Sequence, residues 1–359
     1  MRNTKLTGRE RVNRMFKRQD QDSIPRHESW WDETLTRWRT EGCTGDVIEF
    51  IGGDFQCLCW SDPMPWPGRQ ETISEDESTK TIVDEWGKTV RYWKYRSGTP
   101  EHRGFGCNTR EDWFDVYKPI LLAKETFVKP YSSYNDWVIS RRNGRWSYLS
   151  GLETFEMARR VIGDETFFIA LIEDPEWALD VSRTLTDLVL RDFDVLMKRG
   201  IEPDGVWIYG DMAYRRGPMI GPAMYREMIW PDHKRLVDWA HERGLPFIFH
   251  TDGDVNPVVC HYIDAGFDCL QPLEAKAGMD VRKLAPAVGE ELALFGNIDV
   301  MVMATNDREK IEQEVRSKIE AGMKTRGYVY HSDHSVPPSV SWETYRFVID
   351  LIDRYGNYD

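Results

Sequence analysis

The sequence lacks any dense block of lysine and arginine, and its formal net charge is −13. Proteins that bind nucleic acid rely on clustered basic residues that contact phosphate groups. Anionic membrane surfaces attract the same kind of basic cluster. The composition therefore predicts that neither nucleic acid nor a membrane is a partner of this protein.

Long apolar runs are also missing. The basic residues of the first 19 positions are not followed by the apolar segment that a signal peptide would have. No segment approaches the roughly 20 apolar residues that span a bilayer. We expect a soluble, cytoplasmic protein.

Cysteine is scarce, with six residues among 359, and only Cys57 and Cys59 lie close together in the sequence. In a cytoplasmic chain of this size we expect free thiols rather than disulfides. Linkers rich in Gly, Pro or Ser are absent too, as are short repeats. The length allows one large domain or two small ones, and the missing linker favours a single domain over residues 1–359.

The sequence does contain a repeated alternation of short apolar runs and amphipathic helical stretches. There are eight such runs, at 23–30, 54–60, 145–151, 204–211, 246–252, 268–274, 292–299 and 328–334. Eight strands joined by helices predict an α/β fold of the (β/α)8 TIM-barrel type, with a doubly wound sheet as the competing interpretation. A capping box at 7–10 predicts an N-terminal helix, and the alternating segment 71–108 predicts an antiparallel β excursion.

Polar side chains recur where these runs end. In FIFHTDGDV, at 247–255, an apolar run ends in His250, and Asp252 follows at an alternate position. Because the carboxyl ends of barrel strands share one mouth, we expect such residues to meet there. Taken singly, Asp254 and Asp299 are equally explained as helix caps, and a lone histidine as a core residue. It is the number of such residues that predicts a functional site; they are Asp211, His250, Asp252, Glu274, Asn297, Asp299, Asp333 and His334.

Three segments carry a resemblance to a known family. They are 210–254, which runs from an acid at a strand end to the histidine-bearing strand, LALFGNID at 292–299, and HSVPPSVSWETYRFVID at 334–350. The last two are similar to a Gly-Asn-Ile-Asp motif and to a C-terminal Pro-Pro element. On these motifs nearly the whole chain resembles the uroporphyrinogen decarboxylase superfamily, which includes the haem-pathway decarboxylase and the zinc-dependent, corrinoid-linked methyltransferases.

The resemblance implies a zinc site with altered ligands. The methyltransferases bind zinc through His-x-Cys and a second Cys, whereas this chain has His250-x-Asp252 and places His334 about where that second Cys falls. Zinc also accepts histidine nitrogen and carboxylate oxygen, so we predict His250, Asp252 and His334 as ligands. Glu274 is then a fourth ligand or an outer acceptor. The alternative is that these groups form a metal-free acid/base network.

Decarboxylation of a porphyrinogen is disfavoured. The haem-pathway enzyme has an arginine-rich N-terminal loop that holds its polyanionic substrate, whereas the matching stretch here, PRHESWWDET, contains only Arg26. A polyanionic tetrapyrrole would meet repulsion from a chain of net charge −13. Trp30 and Trp31 stand where that loop would be, and Trp60 and Trp66 follow the second run. Such rings suit a methoxylated aromatic or a sugar ring, with packing in the core as the alternative explanation. The predicted substrate-binding residues are Arg26, Trp30, Trp31, Trp60, Trp66, Tyr214 and Asn297.

These observations favour a zinc-dependent methyltransferase or O-demethylase that passes a methyl group from a small molecule to a corrinoid on a partner protein. Asp211 or Glu274 would manage the proton, with Asp62 as a further catalytic candidate that is alternatively a turn or capping residue. The second hypothesis is a cofactor-independent decarboxylase of a different acid, in which His334 and Asp62 protonate the carbanion. A binding module without turnover explains the strand-end acids poorly.

Overall fold

A computed structural model describes residues 5–95 and 98–358 of the chain. The strands in this part are β1 Phe55–Ser61, β2 Glu71–Glu75, β3 Thr79–Val83, β4 Thr89–Trp93, β5 Glu101–Gly104, β6 Trp146–Leu152, β7 Gly205–Tyr209, β8 Ala213–Tyr214, β9 Gly217–Pro218, β10 Phe247–His250, β11 Cys269–Gln271, β12 Ala293–Phe295 and β13 Tyr328–Val329.

Seven of these strands form one parallel sheet in the order β1-β6-β7-β10-β11-β12-β13. Within this sheet each strand pairs with the next one along the chain. A doubly wound sheet reverses direction at a switch point, whereas a barrel keeps this sequential order. The order is therefore that of a barrel, and the doubly wound alternative is wrong.

The first apolar run fills the eighth position of the barrel. Arg26 forms a parallel bridge with Tyr330, next to β13, and the Tyr330 amide donates to the Pro25 carbonyl at 2.9 Å. On the other side, the Asp54 amide donates to the Arg26 carbonyl at 2.9 Å, immediately before β1 begins. Residues 25–27 thus lie between the two edge strands as a short bridge rather than a full strand. The predicted α/β barrel class is confirmed.

Helices pack around the sheet, and several of them bury a clearly apolar face. They are α1 Gly8–Phe16, α2 Asp32–Thr40, α3 Val47–Ile51, α4 Lys118–Leu122, α5 Pro130–Arg142, α6 Thr154–Ile162, α7 Asp164–Glu173, α8 Pro175–Lys198, α9 Pro222–Met224, α10 Trp230–His241, α11 Val259–Ala265, α12 Val281–Val288, α13 Val300–Met303, α14 Arg308–Met323 and α15 Trp342–Tyr355. Thr7 and Glu10 form the predicted capping box on α1.

Aromatic side chains fill the interior of the barrel. Phe55, Trp207 and Phe295 come from three different strands, and their ring centroids lie 4.9 to 6.1 Å apart. Trp146 and Tyr148 of β6 pack against the same cluster. Large rings therefore close the centre of the barrel, so that the strand ends form a mouth above a solid core.

The predicted β excursion is confirmed as an antiparallel sheet of β2, β3, β4 and β5. Its outer strand, Glu71–Glu75, is exposed along its whole length. The tight turn 84–88 joins β3 to β4, and the Asp84 carboxylate accepts the amides of Trp86 and Lys88 at 2.9 Å. Residues 96 and 97 of the predicted segment lie outside the described residues.

Two further expectations concern the cysteines and membrane-spanning segments. All six cysteines are free, in agreement with the prediction, and four of them are buried. Across the described ranges 5–95 and 98–358, no helix combines the length and apolarity needed to cross a membrane.

Candidate active site

A cavity of about 280 Å³ lies at the carboxyl ends of the barrel strands. The last residues of β7, β10 and β11 stand side by side there, because Tyr209 pairs with His250 and His250 pairs with Gln271 in the parallel register. The lining residues are His27, Ser29, Trp31, Tyr209, His250, Asp252, Gln271, Pro272, His331, His334 and Ser335.

His250 is held in one orientation by its neighbours. Its Nδ1–H donates to the Gln271 side-chain oxygen, and the Tyr209 ring stacks on it at 4.4 Å between centroids. Nε2 faces the carboxylates, with Asp211 Oδ1 3.8 Å away. An imidazole whose other nitrogen is tied to an oxygen acceptor is the usual arrangement of a metal-binding histidine.

Asp211, His250 and Asp252 each offer one ligand atom, and these three atoms lie within 4.8 Å of one another. The Asp252 amide also donates to Asp211 Oδ1 at 3.0 Å, which fixes the two acids relative to each other. Ligands of a tetrahedral zinc ion stand roughly 3.4 Å apart when each bond is about 2.1 Å long. The three ligand atoms would therefore have to draw closer to hold a zinc ion, and their residue types suit it.

Asp252 carries an unsatisfied atom at this place. Its Oδ1 is buried without a hydrogen-bond partner among the described residues. Burial raises the pKa of the Asp252 carboxyl, and Asp211 and Glu274 raise it further, while His250 and His334 oppose the shift. A buried carboxylate oxygen without a donor is costly, and a bound cation would remove that cost.

His334 lies next to the Asp211–His250–Asp252 group but is not part of it. Its Nε2 lies 3.8 Å from Asp252 Oδ2, and the Trp31 ring stacks on it at 5.9 Å. The three-residue group that can share one ion contains Asp211 in its place. Geometry thus favours an exchange of the roles assigned from sequence, with Asp211 as a ligand and His334 as a neighbouring acid or base.

Glu274 supports the loop that carries Asp252. Its Oε2 accepts the Gly253 amide at 2.7 Å, and its Oε1 pairs with Lys276 Nζ at 3.1 Å. Gly253 has a φ of 87°, and a Cβ there would lie 2.4 Å from the Ala213 carbonyl oxygen. The loop needs glycine at this position, and Glu274 holds its backbone in place.

Residues at the bottom of the cavity were missed by the sequence argument. His27 and His331 stack at 5.4 Å, and Glu28 Oε1 lies 3.6 Å from His331 Nε2. Burial lowers the pKa of His27 to about 4 and that of His331 well below its usual range, and it raises the pKa of Glu28 to about 7. Comparing the last residues of each run would have found Tyr209 and Gln271, but nothing in the sequence pairs His27 with His331.

Three of the predicted substrate-binding residues occupy structural positions instead. Arg26 is buried and forms an ion pair with Asp353 at 2.8 Å. Trp30 packs between Trp38 and Tyr345. The Asn297 side chain is fully buried, so it cannot contact a ligand in the mouth.

The other predicted residues divide between the mouth and its surroundings. Trp60 is 44% exposed and tilts over Tyr209 at 5.0 Å, which places it at the rim. Trp66 packs on Tyr117, away from the cavity. Tyr214 is exposed on the β8–β9 hairpin, where its carbonyl accepts the Asp254 amide. Asp62 lines a separate cleft.

We predict that Asn297→Ala lowers the free energy of unfolding by about 2 kcal/mol and leaves KM unchanged. The Asn297 amide donates to the Leu273 and Met279 carbonyls and accepts the Val281 amide, all of them buried. Urea denaturation and substrate titration measure the two quantities. Asn306→Ala is the matched control, because Asn306 also has a positive φ but is exposed. A raised KM with unchanged stability would restore the substrate-binding role.

The fold and the cavity together define a barrel protein of the enzyme type, with histidines and carboxylates gathered at the carboxyl ends of its strands. The family model for uroporphyrinogen decarboxylase (URO-D) matches residues 155–355, more than half of the chain. The chain therefore belongs to the uroporphyrinogen decarboxylase family, as the motifs predicted.

Individual relatives are similar over shorter stretches or through the fold alone. Uroporphyrinogen decarboxylases of Bacillus cereus (strain B4264) and Bacillus anthracis are each 29% identical over 140 residues. These matches span 38% of this chain and 38% of the relatives' own length. A solved methyltransferase from Methanosarcina mazei superposes with a TM-score of 0.67 over 98% of this chain and 99% of its own, at 14% identity. At that identity the likeness describes the shared fold.

Proposed function

We propose that this protein transfers a methyl group from a methoxylated small molecule to a corrinoid carried by a partner protein, and that it uses zinc to do so. The observation that carries the proposal is the Asp211–His250–Asp252 group, whose ligand atoms lie within 4.8 Å of one another beside a buried oxygen without a partner. Zinc at this position would act as a Lewis acid on the substrate's ether oxygen.

The protein's own residues would supply orientation and a proton. Tyr209 and Trp31 offer flat rings on two sides of the cavity, next to His250 and His334 respectively. When the methyl group leaves, the substrate oxygen must gain a proton. His334 Nε2 lies 3.8 Å from Asp252 Oδ2, at the edge of the proposed metal group. We therefore assign the donation of this proton to His334. In this scheme Glu274 keeps the Asp252 loop in place through the Gly253 amide.

The size of the cavity supports a small substrate. Its volume of about 280 Å³ is near the lower end of the range for ligand pockets. The one arginine of the matching N-terminal stretch, Arg26, is buried against Asp353 and cannot hold a substrate carboxylate. These two features favour a compact, methoxylated molecule over a polyanionic tetrapyrrole.

In this proposal the corrinoid is carried by a separate protein. The described residues are taken up by the barrel, its helices and the antiparallel sheet. The mouth is the face where the substrate would lie, so a corrinoid protein would have to approach that face.

We predict that the protein as purified contains about one zinc ion per chain, that a chelator abolishes methyl transfer, and that added zinc restores it. Elemental analysis of each sample, run beside the activity assay, gives the comparison. Protein that stays free of metal even after incubation with zinc would overturn the proposal. Decarboxylation of a small acid with His334 as the proton donor would then become the leading hypothesis, without the role that the sequence suggested for Asp62, because Asp62 lines a separate cleft.

A further inference from the structure

A second cleft, of about 370 Å³, lies between the antiparallel sheet and the barrel. One wall is the turn 84–88 between β3 and β4. The other wall consists of Asp62, directly after β1, and of Glu156 and Arg160 on α6. None of these residues lines the cavity that contains His250. The cleft is therefore a separate feature of the molecule.

Asp62 presents an unsatisfied acceptor to this cleft. Its Oδ1 is buried and has no hydrogen-bond partner among the described residues. Burial raises the pKa of the Asp62 carboxyl to about 6, and Glu85 adds to the shift, while Arg160, Lys88 and a hydrogen bond from the Trp60 side chain to the carboxyl oppose it. Buried polar groups without partners are rare in native proteins, and each calls for an explanation such as a bound ligand.

Lys88 presents a donor to the same cleft. Only 6% of the residue is exposed, and burial lowers the pKa of its ammonium group. Its Nζ lies 3.7 Å from Asp84 Oδ2, which is longer than a hydrogen bond. Lys88 and Asp62 influence each other electrostatically, yet no ion pair joins them in the described part of the chain. A buried donor and a buried acceptor thus line one space without meeting.

The charges of the cleft disfavour an ionic ligand. Its lining includes Arg69, Lys88 and Arg160, four acidic residues, Asp62, Asp84, Glu85 and Glu156, and His102, whose pKa is lowered by burial. The arginines are already paired, Arg160 with Glu156 and Arg69 with Glu71, both at 2.9 Å. An anion would be repelled by the acids and a cation by the bases. A hydroxyl group donates and accepts at once, so it matches both kinds of partner.

We propose that this cleft binds a neutral, polyhydroxylated molecule such as a monosaccharide, whose hydroxyl groups donate to Asp62 and accept from Lys88. Met64, Trp86 and Tyr92 contribute apolar surface to the lining, which suits the C–H face of a sugar ring. The volume lies within the usual range of small-molecule sites.

The site adjoins the mouth but does not depend on the proposed methyl transfer. Trp60 precedes Asp62 by two residues, and its ring lies 5.0 Å from Tyr209, which stacks on His250 at 4.4 Å. Because the cleft and the cavity share no lining residue, binding in the cleft can be measured without turnover and without metal.

The test measures binding to the full chain by saturation-transfer NMR and by calorimetry. The probes are D-glucose, D-galactose, D-mannose, D-xylose and myo-inositol. At least one neutral probe should bind the wild type. Lys88→Met and Asp62→Asn should each weaken that binding by about tenfold or more, because each removes a hydrogen bond to a charged group. Lys118→Met is the matched control, since Lys118 pairs with Asp180 outside the cleft.

Further variants and probes separate the possible outcomes. His250→Ala should leave sugar binding unchanged, whether or not methyl transfer survives, and loss of binding in that variant would refute a separate site. Glucuronate is the anionic comparison, and tighter binding of glucuronate than of every neutral probe would overturn the proposal. Failure of all five neutral probes would overturn it as well. Thermal unfolding of each variant checks that the fold is intact.

Discussion

His250→Ala should lose zinc, with an affinity more than ~100-fold below that of the wild type, and should lose methyl transfer with it. Removing only an outer partner of a metal ligand typically costs ~10–100-fold, and this substitution removes a ligand itself. Asp211 and Asp252 would remain, but two carboxylates without an imidazole nitrogen make a poorer zinc site. Elemental analysis after dialysis against a weak chelator measures the zinc content.

His334→Ala tests the exchange of roles that the geometry favours. If His334 carries the proton, this variant should keep its zinc within a few-fold of the wild-type affinity while its kcat falls by ~100-fold or more. If His334 is the third ligand instead of Asp211, zinc will be lost as it is from His250→Ala. Asp211→Ala, in contrast to His334→Ala, should lose the zinc ion.

His241→Ala is the control for both histidine variants. His241 lies on α10, is 41% exposed at its side chain, and pairs with Asp268 away from the cavity. Its replacement should change neither the zinc content nor the turnover. Equal zinc loss in all three histidine variants would mean that the measurement reports unfolding and that the assigned site is unsupported.

Purified protein alone should show no methyl transfer, and a corrinoid-loaded protein with its cobalt reduced should be required for turnover. Without an acceptor the substrate's methyl group has nowhere to go, because the described residues contain no group proposed to hold it. We expect the rate to rise from background by several orders of magnitude when the corrinoid protein is added. Gas or liquid chromatography of the demethylated product, together with the visible spectrum of the corrinoid, measures the reaction.

The same experiment discriminates between methyl transfer and decarboxylation. Turnover of a methoxylated substrate in the absence of the corrinoid protein would count decisively against the proposal. Release of carbon dioxide from a small acid by the chain alone would support the decarboxylase hypothesis. The His241→Ala variant serves as the control in both assays, because His241 pairs with Asp268 away from the cavity.

Much of the fold could be predicted because local pattern and global architecture agree. The runs around Phe55, Trp207 and Phe295 are short, apolar and separated by amphipathic stretches, and this spacing is typical of a barrel whatever the exact register. The alternation in 71–108 likewise predicted an antiparallel sheet. The run 23–30 was predicted as a full strand, whereas it forms only isolated bridges, of which Arg26 with Tyr330 belongs to the barrel and Trp30 with Val336 follows it.

The sequence by itself determined which residues stand at the strand ends, because the change from apolar to polar side chains marks each end, as at His250 and Asp252. Only the tertiary structure decided which of them meet. Distances across the mouth depend on strand register and loop path, and these bring Asp211 rather than His334 into the group with His250. They also turn Asn297 inward to satisfy buried backbone groups and direct Asp62 into a neighbouring cleft, since a polar side chain takes whichever partners the assembled backbone leaves unsatisfied.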